Sequence, residues 1–211
     1  MSRLLLVDDH PVVRAGCQRL LEMGGEHAVV AQAGDADGAL AMWQQHRPDL
    51  VVTDLSLPGC GGLELLRRVR ERDVDARVLV FSMLDSEPLV RRALALGARG
   101  YVPKSADPAC LVDAVTAVLQ GRRVLGPGLS PRLLDDGSAG DPFAGLTPRE
   151  FELFGLLARG LAPADCAQAL HLSAKTVSNL QSQIRDKLGL DTSAAMAHLA
   201  LRHGLIASDA R

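Results

Sequence analysis

An open, doubly wound α/β sheet of five parallel strands, followed by a small all-α domain, is the fold class this sequence predicts. Three observations carry it. Short Val/Leu-rich runs alternate with amphipathic segments through about residue 120. A stretch rich in Gly, Pro, Ser and Asp then interrupts the alternation over residues 121–145. Beyond it, every segment shows helical spacing and helix-end signals.

The strand-like runs are "RLLLV" (3–7), "AVVAQ" (28–32), "DLVVTD" (49–54), "RVLVF" (77–81) and "GYV" (100–102). Near-continuous apolar runs of this length suit strands covered on both faces, as in a parallel sheet. Helical patterns over 11–23, 35–46, 62–72, 86–96 and 107–120 supply the crossovers. Residues 1–120 therefore read as one domain and 121–145 as a flexible linker, with "LSPRLL" as a single helical turn. Residues 146–211 read as the helical domain. Thr147, Pro148 and Glu150 form a capping box with proline at the first helical position, and Leu146 with Phe151 can close a hydrophobic staple. That helix runs to about Arg159, a second from Pro163 to Leu170, a third behind Ser173 to Gly189, and a fourth from about Thr192 to His203.

Composition narrows the function. The 211 residues are 47% hydrophobic and 23% charged, with net charge −2, so the chain is not a uniformly basic nucleic-acid binder, although a local basic face is compatible with it. No apolar stretch nears the roughly 18 residues of a membrane span, and "MSRLLLVDDH" lacks a signal-peptide pattern. Cys17, Cys60, Cys110 and Cys166 are widely spaced with no CxxC or Cys/His pattern, so neither a disulfide framework nor a zinc site is expected. The expectation is a cytoplasmic protein without a membrane partner.

The chemistry sits in acids at strand ends. "VVTDLSLPG" (51–59) ends a buried-type run on Asp54, where an ionised carboxylate is costly unless something compensates it. Asp8 and Asp9 follow the first strand, Ser82 ends the fourth, and Lys104 follows the fifth. All five residues fall at the carboxyl edge of the sheet, where open parallel sheets bind ligands. Two carboxylates about 5 Å apart repel by roughly 3 kcal/mol at an effective dielectric near 20. Three converging acids would either hold protons more tightly or recruit a cation, and carboxylates, a backbone carbonyl and waters suit Mg²⁺. Neutralised in this way, Asp54 can attack a phosphoryl donor, with Lys104 and Ser82 contacting the phosphoryl oxygens. On the same fold, a flavin binder would need an amide-rich first loop. "DDHP" instead offers acids and a proline.

"LLLVDDHPVVRAG", "DLVVTDLSLPGCGGLELL", "VLVFS" and "GARGYVPKSAD" resemble, in order and spacing, the signature segments of the receiver domain of two-component response regulators. The resemblance implies that Asp54 is the phosphoacceptor, that Asp9 binds Mg²⁺ directly and Asp8 through water, and that the Ser56 carbonyl is a further ligand. It makes Ser82 the switch hydroxyl, Tyr101 the rotating aromatic and Lys104 the phosphate-pairing lysine. Met83 departs from the small residue usual beside the hydroxyl. If repulsion among the acids dominates, Asp54→Asn raises the melting temperature without Mg²⁺.

In the third C-terminal helix, Val177, Leu180, Ile184 and Leu188 form an apolar stripe. Lys175, Asn179 and Ser182 lie opposite, with Ser178 and Arg185 flanking. Asn and Ser side chains suit base edges in the major groove, while Lys175, Thr176, Arg185 and Lys187 are placed for phosphates. The competing reading is a solvated or protein-binding face. "LTPREFELFGLLARG…LSAKTVSNLQSQIRDKLGL" resembles the LuxR-type helix-turn-helix, and with the first domain it places the chain beside the NarL/FixJ class of response regulators. "LAPADCAQAL" departs from the pattern, with Ala162 a poor N-cap and Cys166 in place of an aliphatic. The recognition helix also carries less lysine than is frequent, so weak monomeric DNA binding is expected. The resemblance implies a transcription regulator rather than an enzyme. Its partners would be a sensor histidine kinase, double-stranded promoter DNA, RNA polymerase and, on activation, a second copy of itself. A regulator of this architecture that works without phosphorylation is the alternative.

Overall fold

The computed structural model describes residues 1–134 and 142–206. These form two compact units, one built on the sheet and one on the C-terminal helices. In the first, β1 (Ser2–Val7), β2 (His27–Ala33), β3 (Leu50–Thr53), β4 (Val78–Ser82), β5 (Gly100–Pro103) and β6 (Val124–Leu125) form one sheet in the order β2-β1-β3-β4-β5-β6. Every pair is parallel. The intervening helices are α1 (Pro11–Glu22), α2 (Ala36–His46), α3 (Gly62–Arg72), α4 (Glu87–Ala95) and α5 (Ala109–Leu119).

All four residues of β3 are buried, as its Leu-Val-Val-Thr text requires. Leu4, Leu6, Leu50, Val52, Leu79 and Val102 from the strands share one core with Cys17 and Leu21 of α1 and Leu111, Ala114, Val115 and Val118 of α5. After β1 the chain adds β2 on one side, then crosses to place β3 on the other. The carboxyl ends of β1 and β3 therefore flank the switch in strand order. The ladder carries on past the strands: Asp54 N–H donates to the Val7 carbonyl at 2.9 Å, and Lys104 N–H to the Ser82 carbonyl at 2.8 Å. These two bonds fix both side chains at the same edge.

A sixth strand is the main departure from the five expected. Val124 and Leu125 pair with Gly100 and Tyr101, inside the segment whose composition reads as linker. The pairing depends on Gly126, whose N–H donates to the Tyr101 carbonyl at 2.8 Å. A Cβ there would stand 2.8 Å from Pro103 Cδ and 3.1 Å from Val102 Cα. The glycine thus permits close backbone approach rather than flexibility. "PRLL" forms the expected single turn, a 3₁₀ segment at Pro131–Leu134, and the remainder of the expected linker over 135–141 lies outside the described residues.

The helical unit contains α6 (Pro148–Ala158), α7 (Pro163–Ala169), α8 (Ala174–Leu188) and α9 (Ser193–Arg202). The capping box of α6 is complete: Glu150 N–H donates to Thr147 Oγ1 at 3.3 Å, and Thr147 N–H to Glu150 Oε2 at 2.7 Å. Ser173 and Thr192 cap α8 and α9, whereas Ala162 gives α7 no side-chain cap. Cys166 is fully buried, serving as a small apolar core residue. Phe143, from the end of the expected linker, is buried, with ring centroids 5.5 Å from Phe151 and 5.0 Å from Phe154.

Candidate functional site

Asp8, Asp54, Ser82 and Lys104 converge at the carboxyl edge of β1, β3, β4 and β5. Asp8, Asp54 and Ser82 are buried. Lys104 Nζ donates to Asp8 Oδ2 and Asp54 Oδ2, both at 2.6 Å, with its side chain 8% exposed. Asp54 Oδ1 accepts from Ser82 Oγ at 2.6 Å, from Leu55 N–H at 2.6 Å and from Ser56 N–H at 3.2 Å. What makes the acid at the end of β3 tolerable is therefore first a lysine and a set of aimed donors. From residue types alone, a bound cation is expected in this role. Burial pulls the Lys104 ammonium toward deprotonation, but its bonds to Asp54 and Asp8 outweigh that and hold its pKa above the usual lysine value.

The rim is built from the first loop. His10 N–H donates to Asp8 Oδ1 at 2.8 Å, and Arg14 Nη1 donates to the Asp8 carbonyl, fixing the turn after β1. Asp9 is half-buried and its Oδ1 is a buried oxygen that accepts no hydrogen bond. One ligand atom from each of Asp8, Asp9 and His10 fits within a mutual distance of 4.8 Å. A buried carboxylate oxygen without a donor, beside further oxygen ligands, fits a hard divalent cation. A cavity of about 620 Å³ opens beside Asp54 and Lys104, with Met83, Val13 and Leu20 among its apolar walls. Met83 is largely exposed at its mouth. Tyr101 is fully buried, its hydroxyl donating to the Leu84 carbonyl. Burial above all, with the nearby charges of Asp54 and Asp85, pushes its phenol well above the usual tyrosine range.

In the helical unit, Val177 and Ile184 anchor α8 while Leu180 and Leu188 are only half-buried. Lys175, Thr176, Ser178, Asn179 and Ser182 are exposed, and Arg185 is half-buried. These residues leave one uninterrupted polar face on a 15-residue helix, reached from α7 through a short turn. In that turn His171 takes a left-handed conformation (φ 51°). Lys187 differs from the expectation: its Nζ donates to Glu150 Oε1 and Oε2 at 2.8 and 2.6 Å. The Glu150 carboxyl is pushed up by burial but pulled further down by Lys187 and Thr147, and its pKa lies below the usual carboxylate value.

A family described as "Response regulator receiver domain" matches residues 4–116. This chain is a response regulator. A second family, "Bacterial regulatory proteins, luxR family", matches residues 144–200 of the regulator. It is 40% identical over 208 residues to "Transcriptional activator protein ExaE" of Pseudomonas putida, covering 96% of this chain and 97% of that one. It is 32% identical over 209 residues to "Response regulator UvrY" of Escherichia coli K12, covering 97% and 96%. Among solved structures, a LuxR-family two-component response regulator from Aurantimonas sp. SI85-9A1 matches with TM-score 0.59 and 46% identity, covering 64% of this chain and 94% of that one. RcsB from Salmonella enterica serovar Typhimurium, bound to promoter P1flhDC in the presence of phosphomimetic BeF3-, matches with TM-score 0.63 and 27% identity, covering 97% and 98%. The regulator thus joins a receiver to a LuxR-type DNA-binding domain and belongs with two-component transcriptional regulators.

Sequence reasoning located the regulator's acids, hydroxyl and lysine. It missed the Leu55 and Ser56 amides, because main-chain donors leave no signal in residue type. It passed over His10 and Arg14, which stand in the quoted first loop without a role.

Proposed function

We propose that the receiver accepts a phosphoryl group on Asp54 from a sensor histidine kinase and thereby controls promoter binding by α8. One observation carries this reading: a buried carboxylate is fixed by Lys104, Ser82 and two amides at the sheet's switch point, beside a cavity open to a donor. An Asp54 oxygen attacks phosphorus, the bond from phosphorus to the kinase imidazole nitrogen breaks, and that nitrogen keeps the electron pair. Lys104 and Ser82 then bond the transferred phosphoryl oxygens. Mg²⁺ held by Asp9, Asp54 and the Ser56 carbonyl, with Asp8 acting through water, would supply charge neutralisation at the oxygens in transfer. The bond from Ser82 to Asp54, and Tyr101 turned inward, support a switch in which phosphoryl stabilises one arrangement of β4, β5 and the helices beside them.

In the output domain we assign base contacts to Asn179, Ser178 and Ser182, and phosphate contacts to Lys175, Thr176 and Arg185. The pairing of Lys187 with Glu150 favours a role in positioning α8. Few cations face the DNA, so a homodimer on paired half-sites reaches the affinity that one copy lacks. RNA polymerase would be met at the promoter. The setting is the cytoplasm, which fits a chain in which no described helix is long and apolar enough to cross a membrane. The test is labelling by acetyl phosphate with Mg²⁺. The wild-type chain takes up label, Asp54→Asn takes up none, and undiminished labelling of the variant refutes the assignment.

A further inference from the structure

His10 stands at the N-cap of α1, where Ser, Thr, Asp or Asn ordinarily spends its side chain on a free helix amide. Its imidazole makes no such bond. It turns toward the carboxylates instead, with Nδ1 2.7 Å from Asp9 Oδ1 and 3.4 Å from Asp8 Oδ1. Asp9 Oδ1 nevertheless accepts no hydrogen bond, so the 2.7 Å approach is not an aligned donor–acceptor pair. Three atoms that can each offer a lone pair, the imidazole nitrogen in the tautomer that carries its proton on Nε2, converge on one small space. An octahedral ion with bonds of roughly 2.1 Å holds adjacent ligands about 3 Å apart, and the two observed separations straddle that value. Asp8 Oδ1 already accepts the His10 N–H, but a carboxylate oxygen has a second lone pair to give.

The backbone holds His10 in this place. Pro11 restricts the residue before it to extended conformations, and His10 sits at φ −92°, ψ 107°. The bond from its N–H to Asp8 closes the loop from the other side. The side chain is 66% exposed, so it can meet an ion without disturbing the core.

Carboxylate and water ligands alone suit Mg²⁺, whereas an imidazole nitrogen favours Fe²⁺, Co²⁺, Ni²⁺ and Zn²⁺. We propose that His10 Nδ1 is a protein ligand beside Asp8 and Asp9, and that it biases the receiver's cation site toward these transition ions relative to Mg²⁺. The inference rests on the cation reading of the acidic pocket, adds a ligand and a selectivity to it, and brings Asp8 into direct contact with a transition ion where Mg²⁺ would reach it through water.

The test uses the full chain stripped with a chelator, with Co²⁺ and Mg²⁺ as probes. Co²⁺ binding is followed by its visible absorption, and Mg²⁺ binding by displacement of Co²⁺. In His10→Asn and His10→Ala, the preference for Co²⁺ over Mg²⁺ falls about tenfold or more. The Co²⁺ spectrum also moves to that of an all-oxygen site. A preference within twofold of wild type, or an unmoved spectrum, overturns the proposal. An equal loss of both ions also overturns it, since that outcome marks His10 as only ordering the loop. Asp9→Asn separates the two levels. If it loses both ions while the His10 variants keep the wild-type preference, only the histidine assignment falls. If it retains both ions, the cation reading of the pocket falls with it.

Discussion

Asp54 is placed by the ladder bond from its N–H to Val7 and neutralised by Lys104, and both facts bear on what its loss does. Repulsion among three acids predicts that Asp54→Asn stabilises the metal-free receiver. The structure reverses that expectation: Lys104 bridges Asp54 and Asp8 at 2.6 Å, and an amide nitrogen at Asp54 faces the ammonium donor to donor. Breaking one arm of a buried pair is destabilising, and since Lys104 keeps Asp8 the cost is about 1–2 kcal/mol. The melting temperature of Asp54→Asn therefore falls in the absence of divalent ions, and a rise in calorimetry restores the repulsion argument. Gly62 packs against the main chain that carries this carboxylate. A Cβ there would stand 2.1 Å from the Asp54 carbonyl oxygen and 2.6 Å from Leu55 Cα, both backbone atoms that cannot swing aside. Gly62→Ala is expected to lose about 2 kcal/mol or more in urea unfolding. It also slows acetyl phosphate labelling, because displacing Leu55 moves an amide off Asp54 Oδ1. The sequence shows the residues that carry charge at this edge. Which of them neutralises which depends on partners 96 and 50 positions apart that only the folded sheet brings together.

At the level of elements, the capping box of α6 is legible in "LTPRE", but its tie to the end of α8 is not. Glu150 is buried in the box, and Lys187, 37 residues on, closes its remaining oxygen contacts. Lys187→Ala leaves a buried carboxylate without its cation and costs about 1–3 kcal/mol. The loss is measured by circular dichroism, because Trp43 and Tyr101, the chain's only tryptophan and tyrosine, both lie in the sheet unit. The pH dependence follows from the lowered carboxyl pKa of Glu150. Its stabilisation is fully present above the unfolded value of about 4.3 and is lost as pH falls through the lower folded value. Glu150→Gln removes that part of the acid sensitivity, and an unchanged stability profile below about pH 4.3 disproves the coupling. The same limit on sequence reading explains β6 and Phe143. Gly121 to Gly145 is read as linker because its average composition hides a two-residue strand and one aromatic, each of which is recognisable only by what it packs against. Where strand and helix periodicity is strong, as in β1, β3, α3 and α8, sequence and structure agree to within a residue or two.

For the whole molecule, two routes lead from phosphorylation to DNA binding: pairing of two copies, or release of α8 from a blocked state. The charge inventory of α8 separates them. With Lys187 engaged by Glu150, Lys175 and Arg185 are the helix's remaining cations, so one copy releases few counterions. Each phosphate neutralised contributes roughly −0.9 to the slope of log affinity against log salt. Two such contacts give a slope near −1.8, and a pair of copies on two half-sites gives about −3.6. Beryllofluoride, as a stable phosphoryl mimic, is expected to double the slope while shifting the sedimentation coefficient to that of a dimer. Release without pairing would raise affinity at every salt concentration and leave the slope unchanged, because the same two cations meet the DNA. Lys175→Ala then calibrates the scale. It flattens the slope by about 0.9 in a monomer and about 1.8 in a dimer, on specific and non-specific DNA alike, whereas Asn179→Ala leaves the slope intact and relaxes preference at one base pair. A slope that beryllofluoride does not change, together with unchanged sedimentation, excludes the dimer route. It would leave α8 as a helix that gains access to DNA without gaining a partner.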